Sequence, residues 1–259
     1  GSKSICYIIR RSSAITTAVS LKNNYFEVPG FDAGSPTADI VNNIKQLTYE
    51  AIIRVNNFKT DEFPKKEIAT IMGIEQYCLF RIGDAGFPLQ QLQFSSPGEN
   101  KFPNADTGKL LQPSEWYHVA VVYDTEKKTA VIYVDGREQS RIEDYGNGEP
   151  VNLGKQTRGK DFMFKIGHSY GDPDYMERQL DGEICEVRVW NVARSQQEIF
   201  DNMYNIEDPA NTPGLQAYWK FNEGEGDIAK DYTGHGNDAK AYVKATWPAG
   251  IEVTQKNKE

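Results

Sequence analysis

The chain has 259 residues, with 29 Lys and Arg set against 37 Asp and Glu for a net charge of −8. That balance argues against a nucleic-acid partner, whose phosphates need clustered positive charge, and no apolar run approaches the ~18 residues of a membrane span. The length is enough for a large core, and all-β sandwiches reach it as a single domain.

Gly1-Ser2 reads as a cloning scar and no signal peptide is present. Residues 1–17 are therefore taken as that scar plus the remnant of an interdomain junction or first edge strand, and 18–259 as one folded unit. From there the sequence alternates short stretches rich in Val, Ile, Tyr, Phe and Thr with clusters of Gly, Pro, Asn and Asp, the rhythm of an all-β chain. In order, strands are predicted at 19–28, 46–55, 67–74, 77–82, 89–94, 116–123, 129–134, 162–167, 182–190, 215–221 and 239–245. So many strands suit two stacked antiparallel sheets better than a small barrel.

Two stretches carry sharper local signals. The strands at 116–123 and 129–134 are joined by a polar link and form a hairpin, and Asp135-Gly136 supplies the next tight turn. Ser195 with Glu198 fits a capping box and starts one short surface helix that ends before Pro209. Cys6, Cys78 and Cys185 are odd in number and lack zinc or redox spacing. Cys185 lies in an alternating strand, which favours a buried inert thiol over a Cys78–Cys185 bridge.

The segments Glu115-Trp116-Tyr117-His118-Val119-Ala120-Val121-Val122-Tyr123-Asp124, Ile132-Tyr133-Val134-Asp135-Gly136 and Leu180-Asp181-Gly182-Glu183-Ile184-Cys185-Glu186-Val187-Arg188-Val189-Trp190 resemble laminin-G-like, concanavalin A-type domains. The likeness extends upstream to Leu21-Lys22-Asn23-Asn24-Tyr25-Phe26 and downstream to Leu215-Gln216-Ala217-Tyr218-Trp219, and covers roughly residues 19–247. It implies an all-β, two-sheet antiparallel sandwich of jelly-roll type with one short surface helix. It also implies a lectin-like, non-catalytic carbohydrate-binding module outside the cytoplasm, of the kind found in surface lipoproteins of Bacteroidetes. Protein interaction or adhesion is the alternative, and a glycoside hydrolase a further one. The partner expected is a glycan, with other domains of the same chain beside it; neither nucleic acid nor membrane contact is expected.

Most of the recognisable residues have structural explanations. Trp116, Trp190 and Trp219 read as core rings, His118 as a hydrogen-bonded structural histidine, and Asp124 and Asp135 as turn residues. A retaining hydrolase needs two carboxyl groups ~5–5.5 Å apart. The only local imitation, Glu183 and Glu186, differs by three positions and is expected on opposite sheet faces, with Glu186 free to pair with Arg188.

Sugar binding needs an aromatic face flanked by planar polar groups, carried by loops on a rigid frame. The polar loop containing His168, Tyr170, Asp172, Asp174 and Tyr175 meets that description, as does the loop containing Tyr145. No cofactor is required, but the resemblance allows a calcium ion. Asp231 and Asn237, with Asn23 from the first strand, offer the oxygen ligands that calcium prefers. A turn in which Asp231 accepts main-chain N–H bonds explains the same residues without metal.

Overall fold

The computed structural model describes residues 18–58, 68–84, 87–96, 111–169 and 178–248. Within them lie β1 (Val19–Ser20), β2 (Phe26–Glu27), β3 (Gln46–Asn57), β4 (Ala69–Ile74), β5 (Cys78–Ile82), β6 (Leu92–Ser95), β7 (Trp116–Asp124) and β8 (Thr129–Val134). The chain continues with β9 (Arg137–Glu143), β10 (Lys165–Ile166), β11 (Asp181–Trp190), helix α1 (Gln196–Asp201), β12 (Leu215–Trp219), β13 (Ile228–Ala229) and β14 (Ala239–Ala241).

The strands form two seven-stranded sheets, and every pairing is antiparallel. Sheet 1 runs β1-β11-β3-β7-β8-β9, with β12 also paired to β11; sheet 2 runs β13-β14-β2-β10-β4-β5-β6. Alternation decides what each strand buries. Tyr49, Ala51, Ile53 and Val55 of β3 and Val119, Val121 and Tyr123 of β7 face Phe26, Met72, Phe80 and Phe94 of sheet 2 in one continuous core. This is the jelly-roll sandwich expected from the sequence.

The predicted strand at 19–28 is in fact two strands in different sheets. Asn23 takes a positive φ of 53° and the Asn24 N–H donates to the Leu21 carbonyl, so the chain turns and crosses from β1 in sheet 1 to β2 in sheet 2. The turn between β8 and β9 is the predicted one, with positive φ at both Asp135 and Gly136. A Cβ on Gly136 would stand 2.7 Å from the Phe200 side chain, so glycine also lets α1 rest on that hairpin.

Helix α1 has the predicted capping box: the Glu198 N–H donates to Ser195 Oγ, and the Ser195 N–H donates to Glu198 Oε1. Its buried Ile199 packs on Ala120, Val122, Val131 and Tyr133, and so closes part of the outer face of sheet 1. Cys78 and Cys185 are free buried thiols on facing sheets, as favoured from the sequence; Cys6 lies outside the described residues.

Candidate functional site

Sheet 1 presents a buried polar network on its outer face. Glu50 on β3 accepts from Arg188 Nη1 at 2.9 Å, from the His118 ring at 2.8 Å and from Trp190 Nε1 at 2.6 Å. Burial alone would raise the Glu50 carboxyl, but Arg188 and His118 override it and hold the group down at about 2. Arg188 also donates to Glu186 and to the main-chain carbonyls of Asn202 and Met203, which ties the segment after α1 to the sheet. His118 and Trp190 thus have the structural roles expected of them. Trp219 lies in the main core, whereas Trp116 is only partly buried, beneath the Arg54 guanidinium.

One sequence expectation is corrected here. Glu183 and Glu186 lie on the same face of β11, because Glu186 adopts φ 52° in a bulge and breaks the strict alternation. Glu183 pairs with Arg54 and Glu186 with Arg188, whose register partner is Glu50. Each carboxylate is thus already held by an arginine.

Sheet 2 differs, because its outer face carries buried polar atoms without a hydrogen-bond partner among the described residues. Phe80 and Ile82, like Leu92 and Phe94, point into the core, so Arg81 and Gln93 between them point away from it. Register aligns Thr70, Arg81 and Gln93 across β4, β5 and β6. Arg81 donates to Gln93 Oε1 from Nε at 3.2 Å and Nη2 at 3.1 Å, and to Asp84 at 2.9 Å. Beside this row, Arg178 donates to Glu75 Oε1 at 3.0 Å. Thr70 Oγ1, Gln93 Nε2 and Glu75 Oε2 are buried without a hydrogen-bond partner among the described residues. Such atoms are costly to leave unmet and therefore point to something that satisfies them.

The other edge of the same face carries an aromatic platform. The Tyr242 N–H donates to the Tyr25 carbonyl, and the two rings stack at 4.7 Å with an interplanar angle of 9°. Tyr25 is fully buried against His168, at 5.1 Å between rings, whereas Tyr242 is 39% exposed. A ring backed by another ring and open to solvent is the surface that the C–H face of a sugar covers. Between the platform and the polar row stands Lys165, buried, with its ammonium donating to the carbonyls of Lys160, Met163 and Ser169.

The predicted site residues fare unevenly. His168 is not a loop ligand but the buried support behind Tyr25. Tyr170, Asp172, Asp174 and Tyr175 lie outside the described residues. Tyr145 is corrected: it is wholly buried against Phe94 and Tyr123, and its hydroxyl donates to the Phe94 carbonyl, so it offers no sugar a face. The calcium set does not fit either. Asp231 Oδ1 accepts from the Tyr218 and Thr233 N–H groups and the Thr233 hydroxyl, and Oδ2 accepts from the Asn237 N–H, which is the turn reading. A carboxylate so occupied by donors cannot also present those lone pairs to a cation. Asn237 is fully buried, with its Oδ1 pressed so close to Gly30 that a Cβ there would lie 1.8 Å away, and Asn23 is exposed on the β1–β2 turn.

The family model described as the concanavalin A-like lectin/glucanases superfamily matches residues 29–200. A candidate carbohydrate-binding protein from Bacteroides ovatus is 30% identical with a TM-score of 0.71; the alignment covers 91% of this chain and 60% of that one. This chain therefore spans about three fifths of that protein. A sialidase CBM40 from Ruminococcus gnavus, bound to α2,3-sialyllactose, is 13% identical over 73% of this chain and 95% of its own, with a TM-score of 0.47. A pentraxin from Limulus polyphemus is 13% identical over 70% of this chain and 81% of its own, at 0.45. The last two likenesses bear on neither ligand nor activity. No curated protein sequence matches the chain.

Proposed function

The chain belongs to the concanavalin A-like lectin/glucanases superfamily, and from that premise we propose that it is a non-catalytic module that holds an extended saccharide across the outer face of sheet 2. The observation that carries this reading is the pairing, on one face, of an open aromatic ring with buried polar atoms that have no partner among the described residues. Tyr242, backed by Tyr25, offers a stacking surface at one edge. Gln93 Nε2, Thr70 Oγ1 and Glu75 Oε2 supply a donor and acceptors for hydroxyl groups at the other. The likeness to the Bacteroides ovatus protein supports the same class of ligand. In this reading the module works outside the cytoplasm, in a secreted or cell-surface lipoprotein, beside further domains of its protein.

Affinity electrophoresis through gels containing neutral polysaccharides tests the proposal, with a reducing-sugar assay on each polysaccharide that retards the protein. The expected result is retardation by at least one polysaccharide, release of no reducing ends, and loss of retardation in Tyr242→Ala and in Gln93→Ala. Retardation by none, or binding that both variants keep intact, would overturn the reading in favour of a protein partner. Release of reducing ends would overturn its non-catalytic part.

A further inference from the structure

On the opposite broad face, beside the Glu50–Arg188 network, cations and aromatic rings alternate outward in a ladder. The Arg188 guanidinium lies 5.0 Å from the centre of the Tyr218 ring. Lys220 Nζ follows, 5.7 Å from Tyr218 and 4.8 Å from Tyr232, and Lys230 Nζ lies 4.9 Å from the same Tyr232 ring. Tyr218 and Tyr232 are themselves 6.2 Å apart. The inner cation is neutralised, since Arg188 is held by both Glu50 and Glu186.

The outer two cations form no close ion pair, although the charge of Lys220 reaches the Glu186 carboxyl. Neither Lys220 nor Lys230 has a carboxylate within 4.0 Å among the described residues, in a chain whose carboxylates outnumber its lysines and arginines. Glu186 beneath Tyr218 is committed to Arg188. Glu223 Oε2 accepts from the Lys230 main-chain N–H, while its Oε1 has no partner among the described residues and its charge reaches the Tyr232 hydroxyl; Asp238 accepts from the main-chain N–H of Asp231. Two ammoniums fixed at one half-buried ring repel each other, and an oxyanion between them would relieve that repulsion. The Tyr232 hydroxyl, which donates to Asn222 Oδ1, adds a polar group at the rim.

We propose that Lys220 and Lys230, held about Tyr232, form a second binding site, one that takes the carboxylate or sulfate of an acidic saccharide. The anion is argued from these residues alone; naming a saccharide as its carrier rests on the function proposed above. The site joins Lys220, just after β12 of sheet 1, to Lys230 and Tyr232, just after β13 of sheet 2, and includes neither Tyr242 nor Gln93.

Two measurements test it. In the first, amide NMR spectra of the isotope-labelled protein are followed during titration with sodium sulfate. Shifts confined to the neighbourhood of Asn222, Lys230 and Tyr232 are expected, and their loss in Lys220→Gln/Lys230→Gln. In the second, the protein runs through gels containing polygalacturonate, dextran sulfate or plain dextran. Retardation by polygalacturonate marks a carboxylate and by dextran sulfate a sulfate. It should weaken with added salt and fall about three- to tenfold in the double variant, the range expected for two rim charges. Lys45→Gln/Lys155→Gln carries the same change of net charge and should match the wild type. Sulfate-induced shifts without retardation by any of the three gels would leave the anion site standing and remove the saccharide. A double variant that behaves like the charge-matched control in both measurements would overturn the site.

Discussion

Arg188 is a residue whose loss the fold should tolerate poorly. Its Nη1 and Nη2 serve two carboxylates and two main-chain carbonyls, and Glu50 is bonded in turn by His118 and Trp190. Removing the guanidinium strands Glu50 and Glu186 as uncompensated charges in the interior and frees the carbonyls of Asn202 and Met203. Breaking one side of a buried pair in this way costs about 3–5 kcal/mol. Arg188→Ala should lower stability by that amount in urea unfolding. A loss below about 1 kcal/mol, the figure for an exposed pair, would mean that water replaces the guanidinium at no penalty.

Among the elements, the two-residue strand β10 links the two halves of the ligand face and depends on Lys165. Strand pairing places Lys165 opposite Glu27 on one side and Gly73 on the other, while its ammonium gathers three carbonyls of the flanking loop. Burial pulls this lysine down from 10.5 to about 8, against the opposing pull of Glu27, Asp161 and Asp32. Between those two values the unfolded chain carries a proton that the folded chain has shed, so stability rises with pH across that window and is flat below it. Relative to Lys165→Met, the wild type should therefore gain on the order of 3 kcal/mol between pH 8 and 10.5. Parallel urea titrations of the two proteins across that range check it; identical pH trends would show that the ammonium is not desolvated. The same element shows what a sequence can and cannot announce. Strands rich in Val, Ile and aromatic residues, such as β3, β7 and β8, which are buried on both faces, reveal themselves by composition. β9 does not, because its residues are largely exposed or half-buried and it is held by pairing to β8. The bulge at Glu186 is equally silent, since nothing in Ile184-Cys185-Glu186-Val187 signals a positive φ, and a parity argument across it fails. Arg81 and Gln93 alternate with apolar neighbours like any solvated strand residue. Their difference lies in being buried, which depends on what covers the sheet.

At the scale of the molecule, the two broad faces of one sandwich have diverged. The outer face of sheet 1 is closed by α1 and by the loop that Arg188 holds, and its polar groups are largely spent on one another. The outer face of sheet 2 leaves Tyr242 open at one edge and, at the other, buried polar atoms without a partner among the described residues. Between β14, which Tyr242 follows, and β6, which carries Gln93, lie five inter-strand steps. At ~4.8 Å each, that is roughly 24 Å, too long for one sugar ring to engage both ends. A ligand that uses the whole face must therefore be an oligomer whose affinity grows as added units reach the second end, where binding becomes intramolecular. Isothermal titration with oligosaccharides of increasing length, cut from whichever neutral polysaccharide retards the protein, should show affinity climbing and then levelling once the chain covers both ends. Tyr242→Ala should abolish the climb while sparing the weak binding of the shortest members at the Arg81–Gln93 end. Affinity that is already complete at the monosaccharide would confine the site to one end of the sheet and leave the alignment of Tyr242 with the polar row without a role in binding.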